Sequence, residues 1–298
     1  MILREATPAD DAAIVETYAA CYPSRVLTPE SVRADHEAAP PQEHPLTVLA
    51  EDGGKVVGLA RSHVDLESEF TDLAVTTVMV LPGHRRKGVG TALQRRVAEH
   101  QRAIGMRRTV ARTADADGAA FASGLGLAES RVERISFIDP STVEAPGPLP
   151  EGITLRSLGE IDDLRPVYDL DCAVSADVPS ATPFQPYSYE QWTVSIVGTP
   201  LLDRDCSLIG YADGEPVVMV FCDTAGTRMF SGLAGTRADH RGRGLARVVK
   251  AHALRRAAGK GVREAYTNND DTNAAMLAVN TALGYREHSR QTLVLGPI

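Results

Sequence analysis

Apolar positions along the chain alternate or recur every three to four residues, and these patterns predict short strands and amphipathic helices in the first half. The predicted strands are Ile2 to Glu5, Leu46 to Ala50, Val56 to Val64, Leu73 to Leu81, Arg108 to Arg112 and Glu133 to Ile138. The predicted helices are Thr7 to Cys21, one starting at Thr28, Gly88 to Ile104, and Asp117 to Gly124.

The second half predicts the same order of elements. Its strands are Ser207 to Tyr211, Pro216 to Cys222, Met229 to Gly235, Arg263 to Thr267 and Gln291 to Leu295, and its helices include Leu245 to Ala258 and Asn273 to Leu283. Three short segments also recur in order, at Ile2 and Ile153, at His84 and His240, and at Gly124 and Ala282. This repetition indicates a duplicated domain. The Pro- and Gly-rich stretch around 141–152 is a linker, so the predicted domains are 1–140 and 153–298.

Composition and charge limit the function. The chain has 298 residues, a net charge of -8 and a pI near 5.5. An acidic protein is a poor nucleic-acid binder and is compatible with a cationic amine substrate. No signal peptide or membrane segment is expected. The four cysteines are scattered, which is typical of reduced thiols in a cytoplasmic protein and predicts no metal site.

In each half a β-rich strand leads into a short basic, Gly-rich loop that begins a helix. The first loop reads His84-Arg85-Arg86-Lys87-Gly88-Val89-Gly90, and the second reads His240-Arg241-Gly242-Arg243-Gly244-Leu245-Ala246. The start of a helix carries unpaired N–H groups and partial positive charge, and small residues let an anion reach them. Two such loops in equivalent places predict a diphosphate site, whereas the P-loop and dinucleotide patterns are absent.

The pattern Arg-x-x-Gly-x-Gly/Ala after a strand, present as Arg85-x-x-Gly88-x-Gly90 and Arg241-x-x-Gly244-x-Ala246, resembles the acetyl-CoA signature of the GNAT superfamily of N-acetyltransferases. The likeness covers nearly the whole chain. It implies an α/β (α+β) fold of two GNAT-like domains. Each would be a mixed, mostly antiparallel twisted sheet flanked by helices, with a splayed central strand pair. It also implies that the loop N–H groups hold the pyrophosphate of acetyl-CoA beside a strand that pairs with its pantetheine arm.

The resemblance assigns cofactor-binding residues to both halves. Those in the first half are Val78, Val80, Arg85, Arg86, Lys87, Gly88, Val89, Gly90 and Thr91. Those in the second half are Ala234, Thr236, Arg241, Gly242, Arg243, Gly244, Leu245, Ala246, Asn268 and Asn273.

One position departs from the family pattern. Asn273, a helix and then Leu283-Gly284-Tyr285 are similar to tandem GNAT proteins of high-GC bacteria, in which Asn273 would contact the cofactor arm; Asn273 also suits a helix cap. Many members have a tyrosine acid seven residues further on. Here that residue is Asn280, and the first half has Ala122 at about the same point. A thiolate with a pKa of about 8.5 can leave with water as the acid, and Asn280 could orient the thioester or the substrate.

The implied reaction is direct attack of a small-molecule primary amine on the thioester. Candidate bases are Glu67, Glu69 and Asp72 in the first half and Asp223 in the second, although each also fits a solvated surface acid. We select Asn280, Asp223 and Glu69 as candidate catalytic residues. We favour the second half as the catalytic one, because it keeps the Asn-bearing helix and holds an aromatic segment from Cys172 to Asp205.

Two other functions remain open. A degenerate module could bind acyl-CoA or sequester a drug without turnover, or the chain could be structural with loops that bind nothing. We expect a monomer or homodimer with no nucleic-acid or membrane partner.

Overall fold

The computed structural model describes residues Met1–Ile298, and its first half contains the predicted elements. The strands are β1 (Ile2–Glu5), β2 (Leu46–Asp52), β3 (Lys55–Val64), β4 (Leu73–Val80), β5 (Arg108–Thr113) and β6 (Ala128–Ile138). The helices are α1 (Asp11–Cys21), α2 (Pro29–Ala38), α3 (Val89–Ala103) and α4 (Ala116–Gly124). The helix predicted from Thr7 begins with a 3-10 turn, because the Asp10 carboxylate accepts hydrogen bonds from the N–H and hydroxyl of Thr7.

The second half repeats these elements. Its strands are β7 (Ile153–Ser157), β8 (Leu208–Ala212), β9 (Glu215–Ala225), β10 (Arg228–Thr236), β11 (Glu264–Asp270) and β12 (Arg286–Pro297). Its helices are α5 (Arg165–Ser175), α6 (Tyr189–Trp192), α7 (Leu245–Gly259) and α8 (Ala274–Leu283). The predicted hairpin turns are confirmed, since Gly53 and Gly54 in the first half, and Asp213 and Gly214 in the second, all have positive φ.

The chain forms two compact units. Unit 1 comprises Met1–Val132, Ala181–Tyr187 and Gln291–Ile298. Its strands follow the order β1-β2-β3-β4-β5-β12, in which β4 and β5 are parallel and the other neighbours are antiparallel.

Unit 2 comprises Glu133–Ser180 and Ser188–Arg290. Its strands follow the order β6-β11-β10-β9-β8-β7, with β10 and β11 as the parallel pair. Each unit is therefore a mixed, mostly antiparallel sheet, which agrees with the predicted fold class.

The last strand of each half differs from the predicted division into 1–140 and 153–298. The Glu133–Ile138 part of β6 pairs with β11 in unit 2, and the part of β12 after Arg290 pairs with β5 in unit 1. An edge strand needs a partner, and the apolar alternation of either last strand suits either edge. The sequence pattern therefore predicts these strands without fixing which unit each one joins.

Helices cover both faces of the sheet within each unit. In unit 1, α1 and α2 pack against Leu49 and Leu59, while α3 covers the opposite face around Val48 and Ala60. In unit 2, α7 packs on the face that carries Val218, Val220 and Cys222, and α5 lies on the other face. None of the helices combines the length and the apolar character needed to cross a bilayer.

Candidate active site

The two Gly-rich loops share one backbone conformation. Arg86 and Gly88 in the first loop have φ angles of 61° and 81°, and Gly242 and Gly244 in the second have 76° and 74°. Gly88 and Gly244 are the N-caps of α3 and α7, so unpaired N–H groups of the first helical turn border each loop. A Cβ added at any of the three glycines would meet nothing within 4 Å. Both loops are therefore open enough for the N–H groups to bind a bulky anion.

The basic side chains of the loops have two different roles. Arg85 donates to the Val80 carbonyl at 3.1 Å and to Asp115 at 2.8 Å. Arg241 likewise donates to the Thr236 carbonyl at 3.0 Å and forms an ion pair with Asp177. These two arginines brace the loop against the end of its strand.

Other basic side chains are better placed to meet an anion. Arg86 and Arg243 are exposed and make no hydrogen bond or ion pair, whereas the Lys87 ammonium donates to the Gly83 carbonyl at 2.9 Å. We therefore expect Arg86 and Arg243 to contribute most of the charge-assisted contacts.

The remaining predicted contacts differ in position. Val89 and Leu245 are buried and anchor the starts of α3 and α7, so only their backbone faces the loop. The residues that lie beside the loops, partly buried or exposed, are Val78, Val80, Gly90, Thr91, Ala234, Thr236 and Ala246.

The parallel strands of each unit separate into a fork, as the resemblance predicts. In unit 1, β4 pairs with β5 from Leu73 to Thr76. The four residues of β4 from there up to Val80 have no strand partner on that edge, which we call the open edge. In unit 2, β10 pairs with β11 only from Arg228 to Phe230, which leaves six residues up to Thr236 open. At roughly 3.3 Å per residue, the open edges are about 13 Å and about 20 Å long.

A β-bulge lies beside the fork of unit 2. Ser231 pairs with Cys222 and Ala234 with Val220, so Gly232 and Leu233 of β10 both face the single residue Phe221. A bulge leaves backbone groups without ladder partners. The β3–β4 register of unit 1 is continuous, so the fork of unit 1 has no corresponding bulge.

The acidic residues predicted as candidate bases lie in different parts of the structure. Asp223 of β9 lies opposite Phe230, at the closed end of the unit 2 fork. Glu69 is exposed on the loop between β3 and β4, where its N–H donates to the Pro183 carbonyl at 3.1 Å. Glu67 lies on the same loop, and Asp72 accepts from Arg108 at 3.0 Å. Among the predicted acids, Asp223 is the one on a strand that flanks a fork.

Unit 1 has a group of polar side chains that sequence patterns did not select. Arg61 and His63 alternate along β3 on the face covered by α1 and α2, and Asp65 follows directly after the strand. His63 lies opposite Val75 and so matches Asp223 of unit 2. Burial and the nearby Arg61 lower the pKa of His63 to about 4. Polar residues at alternate positions of a buried strand were the available signal.

Glu43 lies near Arg61 and near two further carboxyls. Burial raises the pKa of Asp35, Glu43 and Asp65, and Glu43 is further affected by the charges of the other two. Tyr187, which belongs to unit 1 with the segment Ala181–Tyr187, has a pKa raised by burial and by the charges of Glu67, Glu43 and Asp65. This part of unit 1 therefore combines a neutral imidazole, the Arg61 guanidinium and several carboxyls whose pKa values burial raises.

The corresponding face of unit 2 is aromatic. The Trp192 indole N–H donates to Asp171 of α5 at 2.8 Å, and its ring lies 6.3 Å from that of Phe221. Burial raises the pKa of Asp171, against the hydrogen bonds from Trp192 and Ser175. The aromatic segment stands out in the sequence, whereas Asp171, a lone acid beside the apolar face of α5, was missed.

The asparagines of unit 2 also lie in different places. Asn273 caps α8, and its side chain accepts from the Met276 N–H at 3.2 Å. Asn268 of β11 donates to Glu133 at 3.3 Å. Asn280 is buried and accepts from the Lys250 ammonium at 2.8 Å. Asn280 therefore cannot touch a substrate directly in this conformation, and any catalytic effect would pass through its neighbours.

Comparison with known proteins defines the class of protein. The family model described as "Acetyltransferase (GNAT) family" matches residues 12–126. A mycothiol acetyltransferase of Streptomyces bingchenggensis (strain BCW-1) is 26% identical over 253 residues, which cover 80% of this chain and 77% of that protein.

Solved structures match over the whole length. A GCN5-related N-acetyltransferase from Sphaerobacter thermophilus superposes with a TM-score of 0.73 and 21% identity, covering 99% of this chain and 95% of the other. A tandem GNAT protein from the clavulanic acid biosynthesis pathway superposes with a TM-score of 0.74 and 19% sequence identity. The match covers 99% of this chain and 98% of that protein.

The fold, the two loops and these matches together show that the chain contains two copies of the GNAT fold. Residues 12–126 belong to the GNAT acetyltransferase family, the chain contains two GNAT folds in tandem, and it is an N-acetyltransferase. Enzymes of this family generally use acetyl-CoA as the acetyl donor.

Proposed function

We propose that the chain transfers an acetyl group from acetyl-CoA to the primary amine of a small molecule, and that unit 2 performs the transfer. The observation that carries this proposal is the fork of unit 2, which combines a six-residue open edge, a bulge and Asp223 at its closed end. An open edge of about 20 Å accepts a longer extended arm than one of about 13 Å. A donor bound at the second loop would then present its thioester near the fork.

The residues of unit 2 have separate tasks in this mechanism. The N–H groups before α7, together with Arg243, hold the pyrophosphate. The open edge of β10 aligns the arm, and the unpaired backbone of Gly232–Leu233 is the candidate donor to the thioester oxygen. When bound, acetyl-CoA supplies the acetyl group. The amine nitrogen forms a C–N bond with the acetyl carbon, the C–S bond breaks, and CoA leaves as its thiolate. Asp223 takes the amine proton, directly or through water.

The acceptor class follows from the same face of unit 2. Asp223 and the half-buried Asp171 supply negative charge, and the partly buried Tyr168 and Tyr189, whose rings pack on Trp192, supply apolar surface. Such a site favours a small amine with an apolar portion. The relative named mycothiol acetyltransferase is consistent with a small-molecule acceptor for this chain.

Calorimetry with acetyl-CoA tests the donor site. We expect Arg243→Glu to weaken binding in unit 2 by about 10- to 100-fold, because a charge-assisted hydrogen bond contributes about 1.5–3 kcal/mol. The matched variant Arg86→Glu should affect only unit 1. Both are better probes than changes at Arg85 or Arg241, which brace the loops. Failure of the wild type to bind acetyl-CoA would exclude the proposed function.

Thiol release with a panel of small amines tests the transfer. We expect turnover in the wild type and in Arg86→Glu, and a large loss of kcat in Arg243→Glu and Asp223→Asn. If Arg86→Glu abolishes turnover and Arg243→Glu does not, unit 1 with His63 is the catalytic unit.

A second candidate function is acyl-CoA binding without turnover. The burial of Asn280, which no substrate can reach directly, favours it. Tight acetyl-CoA binding with no thiol release from any amine would support this alternative.

A further inference from the structure

A lysine is fully buried beneath the fork of unit 2, and the mechanism above does not use it. Lys250 of α7 is 1% exposed. Its ammonium lies 2.8 Å from the Asn280 side-chain oxygen, 3.4 Å from the Thr267 hydroxyl and 4.9 Å from the centre of the Tyr285 ring. No carboxylate pairs with it. A buried charge without a counter-ion is costly, so its position calls for an explanation.

The residues around this ammonium lie at the point where β10 and β11 separate. Thr267 follows Tyr266, the last residue of β11 that pairs with β10, and its hydroxyl donates to the Ser231 carbonyl at 3.0 Å. Ser231 is the first residue of the open edge of β10. The ammonium therefore lies under the point where the two strands separate, on the face that carries Cys222 and opposite the face that carries Asp223.

A chain of hydrogen bonds leads from the lysine to the open edge of β11. Lys250 donates to Asn280, and the Asn280 amide nitrogen donates to the Asn269 side-chain oxygen at 2.5 Å. The amide nitrogen of Asn269 has no partner in the protein, and this residue is only partly buried. Each donor in such a chain is polarised by the one behind it. The chain thus has a charged buried end and a free N–H donor at the fork.

The surroundings leave the charge of Lys250 uncompensated. The ionisable groups that face it are the thiol of Cys222 on β9 and the phenol of Tyr285 after α8, and burial raises the pKa of both, so both are neutral. Burial lowers the pKa of Lys250 to about 8, so it is still mostly a cation near pH 7. The hydroxyls of Ser231 and Tyr285 are buried without a hydrogen-bond partner, so neither of them accepts a hydrogen bond from the ammonium.

We propose that Lys250 is a positioning residue of unit 2, which acts through Asn280 to make Asn269 a strong donor to the CoA sulfur as negative charge develops on it. This inference rests on the proposed function. As the C–N bond forms and the C–S bond breaks, the electron pair of the C–S bond stays on sulfur. The amine proton goes to Asp223 or water, and the sulfur later takes a proton from water. Lys250 keeps its proton throughout.

The test measures the ionisation of bound CoA, which needs no acceptor. All proteins carry Arg86→Glu, which weakens binding in unit 1, and the CoA concentration is chosen to saturate unit 2 while unit 1 stays mostly empty. The thiolate absorbance of saturating CoA is followed against pH, and the matched desulfo-CoA complex is subtracted to remove protein thiols. The variants are Lys250→Met, which removes the charge at similar volume, and Asn269→Ala, which removes the terminal donor. The control is Gln94→Met, at the equivalent position of α3 in unit 1.

We expect the thiol of bound CoA to ionise below its free value of about 8.5 in the parent protein. Lys250→Met and Asn269→Ala should each raise that pKa by about one unit, a tenfold change, while Gln94→Met leaves it unchanged. Acetyl-CoA affinity should change less than threefold in all three. Where turnover is measured, the fall of kcat at high pH that follows Lys250 deprotonation should disappear in Lys250→Met.

Three results would overturn the inference. If the thiol pKa is the same in the parent and in both unit 2 variants, the lysine has no effect on the sulfur. If Lys250→Met fails to fold, an unchanged pKa in Asn269→Ala is enough to reject the role of the hydrogen-bond chain. If CoA does not bind to the wild type, the proposed function fails, and the inference fails with it.

Discussion

Gly235 lies in the open edge of β10, directly beneath α5, and its substitution tests how tightly that helix is packed. A Cβ at this position would lie 2.1 Å from Cγ1 of Val174. Carbon atoms in contact are normally about 3.5 Å apart or more. Gly235→Ala must therefore displace Val174, which is buried, by about 1.4 Å or force it out of its rotamer.

Overpacking of this kind costs about 1–3 kcal/mol, and the severity of the overlap favours the upper part of that range. We expect the free energy of unfolding of unit 2 to fall by about 2–3 kcal/mol in Gly235→Ala. Urea unfolding followed by tryptophan fluorescence measures it, because Trp192 is the one tryptophan of the chain and is buried in unit 2.

A double-mutant cycle isolates the contact. Val174→Ala alone removes two buried methyl groups and should cost about 1–3 kcal/mol. In the double variant the new methyl of residue 235 occupies space vacated by Val174, so the combined cost should be at least about 1 kcal/mol below the sum. Gly232→Ala is the control, since its Cβ would lie 3.7 Å from the nearest atom, the Phe221 carbonyl oxygen. Additive costs, or equal costs for Gly235→Ala and Gly232→Ala, would refute the reasoning.

Three further predictions concern the loops, the last strand and pH. Gly242→Ala meets no atom within 4 Å but must hold a φ of 76°, so it should destabilise unit 2 by about 1 kcal/mol in the same unfolding assay. Deleting Gln291–Ile298 removes the partner of β5 and the buried Leu293 and Val294. It should cost unit 1 about 3–6 kcal/mol, seen as faster hydrogen exchange of the β5 amides. Hydrogen bonds from Arg4 hold the pKa of Asp10 well below its usual range. That carboxylate therefore adds stability above about pH 3.9, and the stability is lost as the pH falls. Thermal melts between pH 5 and pH 2 should show a smaller loss for Asp10→Asn than for the wild type.

The features that could be predicted from the sequence are those set by neighbouring residues. Alternation in β3 and β9, the turns at Gly53-Gly54 and Asp213-Gly214, and the two loops all depend on local backbone preferences. The duplicated loops were sufficient to predict the family and the fold class.

Features set by distant parts of the chain could not be predicted. The pairing of β12 with β5 depends on two strands separated by most of the sequence, and no local pattern selects that edge over another. The bulge at Gly232–Leu233 adds one residue to a strand and hardly changes its apolar pattern. Lys250 did carry a signal, since it stands between Val249 and Ala253 on the buried face of α7, where a charge is unexpected.

Under the proposed function, the fork rather than the loop distinguishes the unit that performs the transfer from a unit that only binds acetyl-CoA. The two loops have the same backbone conformation, so both can hold a diphosphate by the same N–H groups. The forks differ in length and in charge. The fork of unit 1 has a shorter open edge, and a neutral His63 stands there at the position of Asp223. The fork of unit 2 has the longer edge, the bulge and a buried cation beneath it. With Lys250 acting as proposed, a duplicated GNAT fold keeps two binding loops while the electrostatics at the fork of unit 2 alone favour release of the thiol.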